Sequence, residues 1–254
     1  MHYPVRIVLG PLHLPAHHLF ELLAFFLGYR LYVWLRHQRQ DPLDDLQRRW
    51  IFVGAAAGAW LGSHLLGILE HPEWLSQIRW TTLATDKTIV GGLLGGLAGV
   101  EWTKKWLGIK RSSGDLMVYP ILLGLAVGRL GCHLAGLEDG THGNPTNLPW
   151  GIDFGDGIAR HPVNVYEILF LAALAGGIYR CEKQQPLADG ARFKLFMVAY
   201  LFWRCFIEFY KPVWVSPLGL SSIQLAALAG LFYYREVILH PRRTLFMPEE
   251  KPGG

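Results

Sequence analysis

The chain has 254 residues, 51% of them hydrophobic and only 17% charged, with ten tryptophans. That balance points to a membrane protein and argues against a pair of soluble domains, whose helices keep polar faces. The formal net charge of +4 falls mostly on residues flanking apolar segments, so it implies no nucleic-acid partner.

Apolar stretches recur at residues 15–35, 50–69, 88–107, 116–136, 163–179, 193–209 and 218–234. Each is near the ~20 residues a helix needs to cross ~30 Å of hydrocarbon. The expected fold is therefore all-α, a polytopic protein with about seven transmembrane helices forming one domain over residues 1–254. The opening stretch lacks a basic region followed by an apolar core and a small-residue cleavage site, so no removable signal peptide is expected.

Basic residues alternate with the spans. Arg36, Arg39, Arg48 and Arg49 follow the first; Lys104, Lys105, Lys110 and Arg111 the third; Arg180, Lys183, Arg192 and Lys194 the fifth; Arg235, Arg242, Arg243 and Lys251 the seventh. The intervening loops carry only Arg79, Lys87, Arg160 and Lys211. The positive-inside rule then predicts an external N-terminus and a cytoplasmic C-terminus.

Along the chain, the second and third spans contain "GAAAG" (54–58) and "GGLLGGLAG" (91–99), patterns of small residues that let helix backbones approach closely. Between them the external loop 70–87 is expected to lie in the interface through Trp74 and Trp80. The fourth span ends in Arg129, Cys132 and His133, at i, i+3 and i+4 on one helix face. Insertion scales charge ~2.5–3.5 kcal/mol for an arginine at the centre of a span, so such a residue faces a polar cavity or a partner.

The second long external loop, 137–162, is rich in Gly, Asp, Asn and Pro, the composition of a site wall or lid. It returns through "ARHPVNVYEILF", where Asn164 and Glu167 share a helix face. Glu167 needs a cation or a hydrogen-bond donor, and His161 is either structural or functional. In the sixth span Arg204 and Glu208 stand at i, i+4 with Lys211 beyond. They form an intrahelical pair or, together with Arg129, a guanidinium fork for a lipid phosphate. Cys132, Cys181 and Cys205 show neither paired nor metal-like spacing, so neither disulfide, metal nor cofactor is expected.

At these residues the sequence resembles the prolipoprotein diacylglyceryl transferase family. The family's glycine-arginine-x-glycine-asparagine-phenylalanine motif, followed by asparagine-x-glutamate-x-x-glycine, is echoed by "GRLGCHLAGLEDG". Its Arg-His-Pro-Ser-Gln-x-Tyr-Glu segment is similar to "RHPVNVYE", its late Arg and Glu to "FWRCFIEFYK", and its last-helix Gln to Gln224 in "SSIQL".

The resemblance implies transfer of a diacylglyceryl group from phosphatidylglycerol, or another anionic phospholipid, to the lipobox cysteine thiol of a prolipoprotein. Glycerol phosphate is released, and the location is the bacterial cytoplasmic membrane. Carried over, Arg129 and Arg204 match the family's two essential arginines, and Gly140 the glycine closing the signature. Arg160, His161, Tyr166, Glu167, Glu208 and Gln224 match further motif positions.

The departures are specific. Cys132, Ala135 and Leu137 replace the family's two asparagines and its signature glutamate, with Glu138 one residue late. Val90 stands at the family's histidine, with Asp86 and Lys87 upstream, and Glu21 falls at its first-helix tyrosine.

Thiol attack needs a base, and a phosphate leaving group needs cationic stabilisation. The arginines suit the second role. For the base the sequence offers His133, His161, Glu208 or Glu21; His133 is favoured because it shares a face with Arg129. Lys87 is a headgroup ligand, a strongly perturbed base or, as lysines near span ends commonly are, an interfacial anchor. Two rival readings remain open: a divergent homologue with another acceptor or headgroup reaction, and a non-catalytic lipid-binding protein.

Overall fold

The computed structural model describes residues 3–9, 12–39, 41, 43–71 and 87–247. Trp74, Trp80 and Asp86 lie outside them. The chain is mostly helical, and a helix occurs at each of the seven apolar segments: α1 (Ala16–Gln38), α2 (Asp45–Glu70), α3 (Ile89–Leu107), α4 (Val118–Ala135), α5 (Val163–Gln184), α6 (Ala191–Ile207) and α7 (Ser222–Tyr233). Two short helices follow, α8 (Arg235–Leu239) and α9 (Pro241–Leu245). Among the described residues four helices are long and apolar enough to cross a membrane: α1, α2, α5, and α4 with the 3-10 turn that precedes it. Large apolar side chains stand exposed, such as Phe25 on α1, Trp60 on α2, Trp102 on α3 and Phe202 on α6. That is the inverse of a water-soluble surface.

The chain divides into two compact units that interleave in sequence. The first comprises residues 1–40, 116–186 and 209–212. In it α4 packs against both α1 and α5. Strands β1 (Arg6–Leu9) and β2 (Leu12–Pro15) pair antiparallel ahead of α1. Val5 N–H donates to the Leu134 carbonyl (2.9 Å), which ties this segment to the end of α4. At the opposite ends of the helices, Arg39 on one side and the Tyr119 hydroxyl on the other both donate to Glu182 (3.1 and 3.2 Å). A short hairpin, β3 (Ile152–Asp153) with β4 (Ala159–Arg160), leads into α5.

The second unit comprises residues 41–115, 187–208 and 213–254. Its centre is the α2–α3 pair, and glycine decides that contact. A Cβ placed on Gly58 would lie 2.2 Å from the Gly95 carbonyl oxygen, and one on Gly62 would lie 2.3 Å from that of Gly91. No side chain fits there, so backbone meets backbone, the small-residue packing that the sequence patterns predict. Asp44 caps α2 by accepting from Gln47 N–H (2.8 Å), and Thr88 caps α3 by accepting from Gly91 N–H (3.2 Å); both supply acceptors for otherwise orphaned first-turn donors. α3 ends at Gly108, whose φ of 67° is the left-handed conformation glycine adopts without strain. The apolar segment predicted at 193–209 is helical only to Ile207 and continues as a 3-10 turn over Glu208–Tyr210.

Candidate functional site

In the first unit the polar groups gather where α4 ends and α5 begins. Arg129 is 5% exposed and Glu167 1%, and Arg129 Nε lies 2.9 Å from Glu167 Oε2. The cation that Glu167 needs is thus Arg129, one helix away. Deep burial of an ion pair costs several kcal/mol per ion in desolvation, so a pair of this kind is weak support for stability. The Arg129 side chain also reaches Cys132, with Nη1 4.0 Å from Sγ.

One turn of loop beyond, Thr141 donates its hydroxyl to Asp139 (2.9 Å) and accepts from the Asn164 side-chain amide (3.2 Å). Asn164 is therefore held by the loop it faces. Gly140 has φ of 67° with open space where a Cβ would be. Its conformation, not its size, demands glycine.

His133 points elsewhere. Its ring packs edge-on against Tyr3 and Phe154, with centroids 5.9 and 5.8 Å away, and its Nε2 sits 3.4 Å from the Tyr3 hydroxyl. Burial raises the pKa of Tyr3, so the phenol keeps its proton. His133 Nδ1 is buried without a hydrogen-bond partner. His161 has its Nδ1 3.4 Å from the Tyr166 hydroxyl and its ring against Tyr210 (5.0 Å), while Tyr166 accepts from Trp150 Nε1 (2.7 Å). These aromatic contacts join the 137–162 loop to the start of α5 and to Tyr210.

Arg160 is engaged with Asp156 through two 2.7 Å hydrogen bonds. That bond holds the Asp156 carboxyl down at about 2 and raises the Arg160 guanidinium. Glu21 lies half-buried on α1.

In the second unit Arg204 pairs with Glu208 one turn along, both almost fully buried. Gln224 is occupied at both ends of its amide: it accepts from Ser221 N–H (2.9 Å) in a capping box and donates to the Cys205 carbonyl (3.0 Å). Lys87 is exposed just before the start of α3. Val90 is 0% exposed, so the family's histidine position is here an apolar packing position.

Sequence reasoning overlooked polar groups at His17, His64 and Asp139. His64 is buried on α2, with Nδ1 2.7 Å from the Trp60 carbonyl. The neighbouring Ser63 carbonyl accepts from Thr88 N–H at 3.2 Å, so this histidine lies beside the start of α3. A histidine inside an apolar span was the available signal. Asp139 is held by Thr141 two residues on, which donates to it from its backbone N–H (3.1 Å) and its hydroxyl (2.9 Å).

A model of the prolipoprotein diacylglyceryl transferase family matches residues 4–235. Relatives named phosphatidylglycerol–prolipoprotein diacylglyceryl transferase include one from Acinetobacter baumannii strain SDF, 30% identical over 220 residues, covering 82% of this chain and 79% of the relative. One from Photobacterium profundum is 29% identical over 229 residues, with 82% and 80% coverage. One from Nitrosomonas europaea is 27% identical over 240 residues, with 88% and 82% coverage. Matched along nearly its whole length, through the arginine-bearing α4 and the "RHPVNVYE" entry to α5, the chain belongs to the prolipoprotein diacylglyceryl transferase family of membrane transferases.

Proposed function

We propose that residues 1–254 act as one integral unit of the bacterial cytoplasmic membrane, spanning it seven times with the N-terminus outside. The unit transfers the diacylglyceryl group of phosphatidylglycerol to a lipobox cysteine of a prolipoprotein. The observation that carries this reading is Arg129, a cation buried at the end of a span and paired across helices with Glu167, within a family match covering residues 4–235.

In the reaction the acceptor thiolate attacks the glyceryl carbon bearing the phosphate. A carbon–sulfur bond forms, the carbon–oxygen bond breaks, and glycerol phosphate leaves with the electron pair. The thiol proton passes to a base. Arg129 supplies the positive charge that the leaving phosphate needs, since guanidinium binds oxyanions bidentately and never loses its proton. Asn164, Gly140 and the His161–Tyr166–Trp150 wall line the acceptor side.

Among the candidate bases, His133 has a buried, unpartnered Nδ1 that suits it to take a proton. Glu208, His161 and Glu21 are the alternative bases. Arg160, Lys87 and Gln224 hold the loop, the interface and the α7 start in place, and touch lipid or acceptor only at the margins.

One observation favours a second reading. Val90 is wholly buried where the family carries histidine, and Cys132, Ala135 and Leu137 replace its asparagines and glutamate. Those changes fit the same lipid with another acceptor.

Purified protein incubated with labelled phosphatidylglycerol and a lipobox peptide separates the readings. Modified peptide with glycerol phosphate establishes the family reaction. Headgroup release without peptide modification favours another acceptor, and a Val90→His variant that then gains peptide transfer would confirm that divergence. If neither product forms, the transfer reading fails.

A further inference from the structure

We propose that His17, Cys132 and Asp139 form a binding site for one divalent transition-metal ion of the zinc type. The three come from the first turn of α1, the last turn of α4 and the turn that follows it. Their ligand atoms all lie within 4.8 Å of one another, and His17 Nδ1 is 4.0 Å from Asp139 Oδ2. A tetrahedral zinc with bonds of ~2.0–2.3 Å sets its ligand atoms roughly 3.3–3.6 Å apart. Side-chain shifts of about 1 Å therefore close the cluster onto an ion.

Several independent features point to a ligand. His17 Nδ1 is buried without a hydrogen-bond partner, a state that costs free energy unless something occupies the nitrogen. Gly131 lets the two helices meet here, since a Cβ on it would lie 2.8 Å from Phe20 Cβ and 3.2 Å from the His17 carbonyl oxygen. Asp139 is oriented by its neighbours: Thr141 donates to it from its backbone N–H (3.1 Å) and its hydroxyl (2.9 Å), and Asn164 steadies Thr141. A carboxylate fixed in this way is what outer partners do for metal ligands.

Charge and softness agree with the same ion. A thiolate and a carboxylate neutralise a divalent cation, and the Arg129 charge beside Cys132 is met by Glu167. Thiolate, imidazole and carboxylate together favour zinc-type ions over magnesium or calcium, and three protein ligands leave a fourth position for water or an anionic oxygen. The linear cysteine spacing carries no metal pattern because the ligands meet only through the packing of α1 on α4.

The test uses the purified chain in detergent, stripped with chelator and titrated with Co2+. One equivalent should bind with a thiolate-to-cobalt charge-transfer band, and Zn2+ should displace it. Cys132→Ser should abolish the band, while Cys181→Ser leaves it unchanged. His17→Gln keeps the thiolate and should weaken binding at least ~100-fold, and Thr141→Val about 10–100-fold, as outer-partner losses do.

A folded wild-type chain that binds no Co2+ overturns the site. So does a band that survives Cys132→Ser, or an affinity unchanged in His17→Gln. The His17 variant also decides the matter should Cys132→Ser fail to fold.

Discussion

Arg129 reaches from α4 to Glu167 on α5, whereas Arg204 meets Glu208 one turn further along its own stretch of chain. Both pairs are almost fully buried. The first fixes two helices against each other and depends on tertiary structure. The second joins groups one turn apart on the same stretch of chain. Burial alone therefore does not tell what a charge is for. An inter-helix pair is bound into the fold, while an i, i+4 pair can rearrange without moving a helix.

Breaking either pair singly should be the most damaging change. Arg129→Ala removes the cation 2.9 Å from the buried Glu167 carboxylate, and breaking such a pair costs about 3–5 kcal/mol. The variant should also lose transfer by at least ~100-fold, the scale of one removed transition-state donor. Thermal unfolding in detergent and the peptide assay read the two losses.

Replacing both members sharpens the contrast. Arg204→Met with Glu208→Met should be neutral to stabilising by roughly 1–4 kcal/mol, as for other buried pairs exchanged for apolar residues. If that stable variant also retains transfer, Arg204 has no catalytic task. The equivalent double change at Arg129 and Glu167 should be inactive even where it folds.

Next in size is His133→Phe. The ring's neighbours, Tyr3 and Phe154, accept another aromatic, so stability should change by less than about 1.5 kcal/mol, the range for volume-conserving swaps. A matching drop in activity with loss of its acidic pH limb marks His133 as the base, and full activity transfers that role to another group.

The smallest effect belongs to Asp156 and Arg160, an exposed pair outside both buried sites. Hydrogen bonding to Arg160 depresses the Asp156 carboxyl to about 2. Its small contribution is therefore present above the usual carboxylate range and fades as pH falls toward 2. Asp156→Asn should remove that pH dependence from the 153–160 turn, read by amide exchange, and leave both buried pairs untouched.

The sequence made the helices legible because their information is local: apolar length, cap residues and glycine spacing all act within a few turns. Residues 88–107 were expected to be helical, and α3 spans Ile89–Leu107. The Arg204–Glu208 pair was equally local. The partner of Glu167 was not, since the sequence left a cation and a hydrogen-bond donor equally open. Gln224 adds a local contact the sequence did not show: its amide completes a capping box and donates to the Cys205 carbonyl. His17 was not legible as a site residue, because its neighbours Cys132 and Asp139 come from more than a hundred residues along the chain.

The link between Tyr3 and His133 joins residues 130 positions apart, and the Val5–Leu134 bond runs beside it. That separation has a consequence for biogenesis. The first residues leave the ribosome long before their partners exist, and at about 5–20 residues per second they wait on the order of ten seconds for α4. Until α4 is inserted, this end of the first unit has no lining, so acquisition of a working site must be a late event in membrane assembly.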